Sequence, residues 1–245
     1  MKYTLGSWIT LGHTSIAEIM ADAGFDWLCI DLEHSVIDYY DSQQMIAAIQ
    51  SKGIPAFVRV GNNDPLIIKR VLDAGANGVI VPMVNNRQDA LRAVAATKYP
   101  PVGRRGVGLA RAQGYGFGFE KYASTVNRKI KIIAQIEHIE GIEHLAEILS
   151  VDGIDGTMIG PYDLSGSLGR PGKYDHPEVK KALVRYERVG KSFAKPIGYH
   201  VVQPDSNVVL KKIRKGYGFI AFGTDAIFLG SKARESLIAI RRFRP

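Results

Sequence analysis

The chain has 245 residues, of which 46% are hydrophobic and 23% charged, with a formal charge of +8 and a single cysteine, Cys29. This length suits one eight-stranded barrel and leaves little room for a second domain, so we predict one domain over residues 1–245. One cysteine excludes an internal disulfide and a cysteine zinc cluster. We expect Cys29 to be a buried small hydrophobe.

Charge and hydropathy patterning also exclude several classes of partner. The basic residues are dispersed and come with no aromatic-interleaved tract or nucleic-acid-binding motif, so we expect a solvated basic surface and no nucleic-acid partner. No segment approaches the ~18 to 20 apolar residues that span a bilayer. The first residues lack the basic segment and apolar run of a signal peptide. We therefore expect a cytoplasmic protein.

Short β-branched runs alternate with amphipathic segments along the chain. Runs without strict polar–apolar alternation are typical of strands buried on both faces. We predict strands at Gly6–Thr10, Trp27–Asp31, Ala56–Val60, Gly78–Pro82, Lys131–Ile136, Gly156–Gly160, Pro196–Val201 and Phe219–Phe222. We predict helices at Ser15–Ala23, Ser42–Lys52, Pro65–Ala74, Arg87–Thr97, Gly141–Leu149, Pro177–Phe193, Asp205–Arg214 and Asp225–Arg241.

Eight alternating strand–helix units favour a closed parallel (β/α)₈ barrel, the TIM-barrel fold of the α/β class, over an open doubly wound sheet. One long connection, Lys98 to Arg128, carries six glycines and no predicted element. We predict that it is a functional loop, because loops of this length are uncommon in compact domains.

Polar residues follow four of the predicted strands. Asp31, Glu33 and His34 end the second, Arg59 lies near the end of the third, Glu137 follows the fifth and Asp163 follows the sixth. Active sites of parallel barrels are built at the carboxyl ends of the strands. We therefore predict one site that combines these side chains.

Elementary chemistry suggests a role for each of them. Glu137 and Asp163 are hard oxygen ligands that leave most of an octahedral shell open, which suits Mg²⁺ or Mn²⁺ and a chelating 2-oxo acid. Such a cation can stabilise an enolate as a Lewis acid. Arg59 can donate to the developing oxyanion, and His34 can shuttle protons with Asp73 as its partner.

Two further features bear on the reaction class. Backbone N–H groups from Tyr162 to Ser165 can bind a substrate carboxylate if this segment opens a helical turn. No lysine lies inside a predicted strand except Lys131 at a strand start, and Lys195 lies at the opposite rim. A Schiff-base aldolase needs a desolvated lysine in the barrel, so we disfavour that mechanism.

Ordered motifs along nearly the whole chain resemble the HpcH/HpaI family of metal-dependent (class II) 2-oxo-acid aldolases. They are Ala23-Gly24-Phe25-Asp26-Trp27, Ile30-Asp31-Leu32-Glu33-His34, Val58-Arg59-Val60, Asn63-Asp64-Pro65, Leu72-Asp73-Ala74-Gly75-Ala76, Val81-Pro82-Met83-Val84, Tyr99-Pro100-Pro101, Arg105-Gly106-Val107-Gly108, Gln135-Ile136-Glu137 and Ile159-Gly160-Pro161-Tyr162-Asp163-Leu164-Ser165.

The resemblance implies cleavage of a 4-hydroxy-2-oxo acid to pyruvate and an aldehyde, or the reverse addition, through a metal-stabilised enolate. It also implies a homo-oligomer, a hexamer built as a trimer of dimers, whose last helix packs on a neighbouring subunit. It further implies that Glu137 and Asp163 bind Mg²⁺, Mn²⁺ or Co²⁺, that His34 is the acid/base supported by Asp73, and that Arg59 stabilises the enolate. By the same resemblance, Gln135 and the Tyr162 and Asp163 amides contact pyruvate. Asp31 lies near the catalytic histidine, and Trp8 and Arg111 lie around the pocket.

The chain departs from the family pattern on the side of the second substrate. The seventh strand carries His200, and the loop Leu109–Gly116 is distinctive. His200 is a substrate contact or a structural histidine, and His138 is expected to begin a helix. Two other functions remain open, an acyl-CoA-dependent condensation of the citrate-synthase kind and a non-catalytic barrel that binds acidic metabolites.

Overall fold

The computed structural model describes residues 3–243. Its eight parallel strands pair in chain order, and β1 also pairs with β8, which closes the barrel. The strands are β1 Thr4–Ile9, β2 Trp27–Asp31, β3 Ala56–Arg59, β4 Gly78–Val81, β5 Lys131–Ile136, β6 Gly156–Ile159, β7 Ile197–Val201 and β8 Phe219–Thr224. The predicted (β/α)₈ barrel is confirmed, and every strand starts and ends within two residues of its predicted bounds.

Helices cover the outside of the barrel. They are α1 Thr14–Asp22, α2 Tyr39–Ser51, α3 Pro65–Asp73, α4 Arg87–Thr97, α5 Phe119–Lys129, α6 Ile139–Glu143, α7 Leu145–Ser150, α8 Pro161–Ser167, α9 Pro177–Gly190, α10 Ser206–Arg214 and α11 Asp225–Arg242. Several begin as the sequence predicts. Asp64 accepts from the Leu66 and Ile67 amides ahead of Pro65, which is the capped start expected for α3.

Two predictions about the connections are wrong. The segment from Lys98 to Arg128 is not one continuous loop, because it contains a 3₁₀ helix, Arg111–Gly116, and most of α5. Phe119, Tyr122 and Val126 recur at helical spacing, and the many nearby glycines obscure that period. The predicted helix Gly141–Leu149 is two short helices, α6 and α7, with His144 between them.

Aromatic packing fills the lower half of the barrel, where the strands begin. Trp27 stacks on Phe219 with ring centroids 4.1 Å apart, and Phe57 meets both rings edge-on. Gly6 makes room for this cluster, since a β-carbon there would lie 2.0 Å from the Trp27 ring. Cys29 is fully buried in the next layer, as expected. The polar side chains at the strand ends therefore lie above a packed apolar layer inside the barrel.

The last helix packs little of its surface against its own barrel. Leu229, Leu237, Ile238 and Ile240 on α11 are half or more exposed, and Phe243 just beyond it is 79% exposed. Among residues 3–243, no helix is both long and apolar enough to cross a bilayer.

Candidate active site

A buried ion pair links the carboxyl ends of β2 and β3. Asp31 and Arg59 are register partners, and the Arg59 guanidinium donates through Nε and Nη2 to the two Asp31 carboxylate oxygens at 2.8 and 2.6 Å. Glu33 lies on the other side of the same guanidinium, with Oε2 3.2 Å from Nη1. Arg59 is therefore held by two carboxylates in one orientation at the barrel mouth.

His34 lies next to this group, at the edge of the mouth. Its side chain is 67% exposed, and its Nε2 lies 3.6 Å from Glu33 Oε2. The Asp31 carboxylate accepts from the backbone amides of Glu33 at 3.0 Å and His34 at 3.4 Å. Asp31 thus fixes the turn that presents His34 to solvent, which agrees with its expected place beside the histidine.

The sequence predicts no individual role for Glu33, but the structure places its carboxylate against Arg59 at the barrel mouth. Its pKa is raised to about 7, mainly by burial and in part by the nearby carboxylates of Glu137, Asp31 and Asp163, while the charge of Arg59 opposes the rise. Its position two residues after Asp31 at a strand end was the signal available in the sequence. Several acids therefore converge on a small volume, which favours a bound cation or proton there.

Glu137 is also buried, 5% exposed, directly after the end of β5. Its Oε1 accepts from the Met83 amide at 2.9 Å, and its Oε2 accepts from Gln135 Nε2 at 2.5 Å. Burial raises its pKa, these two hydrogen bonds lower it, and the charge of Asp163 raises it. The hydrogen bonds fix the carboxylate while leaving each oxygen a further lone pair.

Asp163 faces Glu137 from the first turn of α8. A β-carbon built on Gly160 would lie 3.1 Å from Glu137 Oε2 and 3.7 Å from Asp163 Oδ2. The two carboxylates therefore flank one small space, which the glycine leaves open. Within residues 3–243, no group of three His, Cys, Asp or Glu side chains is arranged to hold a metal. This space offers two protein ligands.

The start of α8 presents backbone donors beside this space. Leu164 N donates to Gly160 O at 3.0 Å, as in an ordinary first helical turn. The amides of Tyr162 and Asp163 have no acceptor among the described residues. The anion-binding stretch predicted from Tyr162 to Ser165 is thus reduced to these two amides.

Trp8 and His200 lie beside Arg59 at the mouth. The Arg59 guanidinium carbon lies 4.4 Å from the Trp8 ring centroid, and the Trp8 and His200 rings are 5.5 Å apart. Trp8 Nε1, His200 Nε2 and Gln135 Oε1 are buried atoms without a hydrogen-bond partner among the described residues. Native proteins leave few such atoms, so their number at one mouth indicates that a ligand or water completes them.

Two predicted site residues lie elsewhere in the chain. Asp73 ends α3, which runs back from the carboxyl ends of the strands toward their starts, and its carboxylate pairs with Arg105 Nη2 at 2.6 Å. Arg111 donates to Ala74 O at 3.1 Å and to Gln50 Oε1 at 3.0 Å. Within one chain, neither residue joins His34 and Arg59.

Arg111 lines a cavity of about 530 Å³ near the starts of the strands. The described residues around it include lysines, amides and glycines but no carboxylate, so it offers a cation no anionic ligand. Lys195, also at this end, donates to the Leu149 and Val151 carbonyls at 2.7 and 2.8 Å. That lysine is structural and does not point into the barrel. His138 caps α6 through its side chain, as expected.

Comparison with known proteins agrees with this geometry. Residues 4–230 match the family model described as HpcH/HpaI aldolase/citrate lyase. A pyruvate aldolase of Rhizobium etli is 39% identical over 97% of this chain and 92% of its own, and a 2-dehydro-3,6-dideoxy-6-sulfogluconate aldolase of Pseudomonas putida is 38% identical with the same coverage. The crystal structure of a family member from Burkholderia cenocepacia has a TM-score of 0.91 and 34% identity, covering 98% of this chain and 95% of that one. The chain belongs to the HpcH/HpaI aldolase/citrate lyase family and is a carbon–carbon lyase.

Proposed function

We propose that this lyase is a divalent-cation-dependent aldolase that adds pyruvate to an aldehyde, or cleaves the corresponding 4-hydroxy-2-oxo acid. The observation that carries the proposal is the pair of carboxylates, Glu137 and Asp163, facing one space beside the fixed guanidinium of Arg59. Relatives 38–39% identical are named as aldolases, one of them a pyruvate aldolase, which supports this reaction over an acyl-CoA-dependent condensation or simple binding.

The donor set suits a hard divalent cation. Two carboxylates around an open space leave the remaining octahedral positions to waters and a chelating 2-oxo acid, as Mg²⁺, Mn²⁺ or Co²⁺ requires. Burial, together with repulsion from Asp163, raises the pKa of Glu137, and a cation between the two acids would lower it again. A cation bound there would supply Lewis acidity to the keto oxygen of the substrate.

Residues of the chain itself have separate roles in forming the enolate of pyruvate. Arg59 presents a fixed positive charge toward the oxygen that becomes negative when the methyl group loses a proton. The Tyr162 and Asp163 amides would hold the carboxylate, and Gln135 holds Glu137 in place and lies against the same substrate. His34, exposed at the edge of the mouth, takes the methyl proton and protonates the new hydroxyl oxygen after the carbon–carbon bond forms.

Asp73 and Arg111 have a place in this proposal only across a subunit boundary. One chain keeps both at the far end of its barrel from His34, so a supporting carboxylate from Asp73 must come from a second copy. The exposed apolar face of α11 supports an oligomer, and we propose the hexamer that the family resemblance implies, with α11 against a neighbour.

The proposal is tested with the purified enzyme, Mn²⁺, pyruvate and a panel of aldehydes, with products detected by mass. We expect adducts whose mass is the sum of the two substrates, and no formation after EDTA treatment. Exchange of the pyruvate methyl protons in D₂O, without aldehyde, measures enolate formation alone. A lysine adduct trapped by borohydride, or citrate formed from acetyl-CoA and oxaloacetate in place of aldol adducts, would contradict the proposal.

A further inference from the structure

The family resemblance leaves the second substrate unspecified, and the mouth carries one feature that the pyruvate half does not use. Trp8 Nε1 and His200 Nε2 are shielded from solvent and have no hydrogen-bond partner among the described residues, on rings 5.5 Å apart. Trp8 is 2% exposed, so its indole N–H has no access to bulk water in place of a protein acceptor. Leaving both buried groups unsatisfied is unfavourable, so a polar ligand group is expected there.

The strand geometry fixes where His200 points. Successive side chains of β7 alternate between the outside and the inside of the barrel. Tyr199 faces outward, where its ring packs edge-on against Tyr217 at 5.5 Å and Lys212 Nζ lies 3.4 Å from its centroid. His200 therefore faces inward, beside Trp8.

The chemistry of the two rings defines what they can bind. Burial and the positive charge of Arg59 lower the pKa of His200 to about 4, so the imidazole is neutral at physiological pH. The Gly223 carbonyl interacts with the ring, and since Nε2 has no partner, this interaction falls on Nδ1. We therefore assign the ring proton to Nδ1, which makes Nε2 an acceptor. Trp8 Nε1 is only a donor.

A donor and an acceptor on two neighbouring rings match a hydroxyl group, which accepts from one and donates to the other. A carboxylate has only acceptors and would face the Nε2 lone pair. An alkyl group would leave both atoms unsatisfied. Arg59 does not alter this preference toward carboxylates, since Asp31 and Glu33 already engage it. Pyruvate itself carries no hydroxyl group, so the matching group belongs to the electrophile.

We infer that Trp8 and His200 recognise a hydroxyl group on the electrophile, and that the second substrate is a hydroxyaldehyde rather than a carboxylated or unsubstituted aldehyde. The inference rests on the proposed aldolase function. It assigns Trp8 and His200 as specificity-determining residues, outside the groups that form and protonate the enolate.

The test compares kcat/KM for three aldehydes with pyruvate and Mn²⁺: 2-hydroxypropanal, its isostere 2-methylpropanal, and succinic semialdehyde. For the wild type we expect 2-hydroxypropanal to be favoured at least about 10-fold over each of the others. His200→Phe, which removes the acceptor, should bring the ratio of 2-hydroxypropanal to 2-methylpropanal close to one. His200→Gln keeps an acceptor and should retain part of the preference. Trp8→Phe should lower the ratio as His200→Phe does.

Tyr199→Phe is the matched control, because Tyr199 neighbours His200 but faces outward; its ratio should equal that of the wild type. Methyl proton exchange of pyruvate, which needs no electrophile, is measured for every protein. Two outcomes would overturn the inference and leave the proposed function intact. One is a wild type that exchanges the methyl protons but does not prefer 2-hydroxypropanal. The other is a ratio of 2-hydroxypropanal to 2-methylpropanal that His200→Phe does not change. Hydroxypyruvate can replace pyruvate as the first substrate in the same assay. If His200→Phe changes the preference between hydroxypyruvate and pyruvate but not the preference among aldehydes, the inference is also overturned. Absence of exchange in the wild type would overturn the proposed function as well.

Discussion

Arg59 and Asp31 form a two-point ion pair between register partners at the ends of β3 and β2, with side chains only 13% and 3% exposed. Removing one member of such a buried pair leaves an uncompensated charge. We expect Asp31→Asn to lower the free energy of unfolding by about 3 kcal/mol and to reduce kcat as Arg59 loses its fixed orientation. Urea denaturation and steady-state kinetics measure the two effects.

The control for this variant is Asp22→Asn. Asp22 pairs with Lys52 at 3.0 Å, but both side chains are exposed, at 61% and 38%. Solvent screens such a pair, so the expected loss is below about 0.5 kcal/mol. Equal losses in the two variants would show that the Arg59–Asp31 pair contributes no more than a surface contact.

Cation binding should depend on Glu137 and Asp163. We expect Mn²⁺ at about 100 times its dissociation constant to stabilise the wild type by about 2.7 kcal/mol, and not to stabilise Glu137→Gln or Asp163→Asn. Activity should fall more than about 100-fold in either variant, beyond the effect of losing a residue that only orients a ligand. Thermal denaturation with and without Mn²⁺, and electron paramagnetic resonance of free Mn²⁺, measure binding without an activity assay.

Glu147→Gln is the control, since Glu147 is an exposed helical residue paired with His144. It should bind Mn²⁺ as the wild type does. Full activity or undiminished Mn²⁺ binding in Glu137→Gln would remove Glu137 as a ligand.

Glu33 should make the cation-free enzyme sensitive to rising pH. Its folded-state pKa is raised from 4.5 to about 7, so its contribution to stability is fully present below 4.5 and is lost as pH rises through 7. Relative to Glu33→Gln, the wild type should lose on the order of 2 to 3 kcal/mol between pH 4.5 and 8. Urea denaturation in EDTA across this range gives the difference. Parallel curves for the two proteins would show that Glu33 has an ordinary pKa.

The His34–Asp73 relation should cross a subunit boundary. We expect His34→Ala and Asp73→Asn to be nearly inactive alone, and mixed oligomers of the two to regain activity, because some sites then combine an intact His34 with an intact Asp73 from a neighbour. Asparagine retains a hydrogen-bond acceptor for Arg105, which limits the structural effect. Native mass spectrometry verifies mixing. Mixed oligomers without recovered activity would contradict the shared site.

The exposed side chains of α11 should hold the oligomer together. Leu237 and Ile240 are 50% and 69% exposed, and a double change to Glu would place two charges in the proposed interface. We expect a smaller assembly by light scattering, with the barrel's far-ultraviolet circular dichroism retained. Lys232→Gln on the same helix is the control and should leave the assembly size as in the wild type. An unchanged assembly in the double variant would show that α11 is not the interface.

The local pattern of the sequence was enough to predict the barrel and the meeting of its charged strand-end residues at one rim. Buried strands of four to six residues, each followed by a helix, allow few closed arrangements, and parallel strands bring their carboxyl ends to one rim. Asp31 and Arg59 end their strands, and Glu137 and Asp163 come within four residues of a strand end, so their meeting required only the correct strand order. α5 was missed because its short apolar period lies among glycines.

Other relations depended on tertiary structure, because they join residues whose distance is not set by strand order. The raised pKa of Glu33 could not be predicted from the sequence, because it depends on burial and on the charges of Arg59, Glu137 and Asp163, which come from other parts of the barrel. The sequence contained His34 and Asp73 but not their separation, which follows from α3 running back along the barrel. Only the tertiary packing showed that Trp8 and His200 are neighbouring rings, each with a buried nitrogen that has no partner among the described residues. The sequence by itself determined the fold and which charged residues meet at one rim, because both follow from strand order. The folded chain decided how each charge is held and which buried polar atoms at the mouth are left without a partner in the described part of the chain.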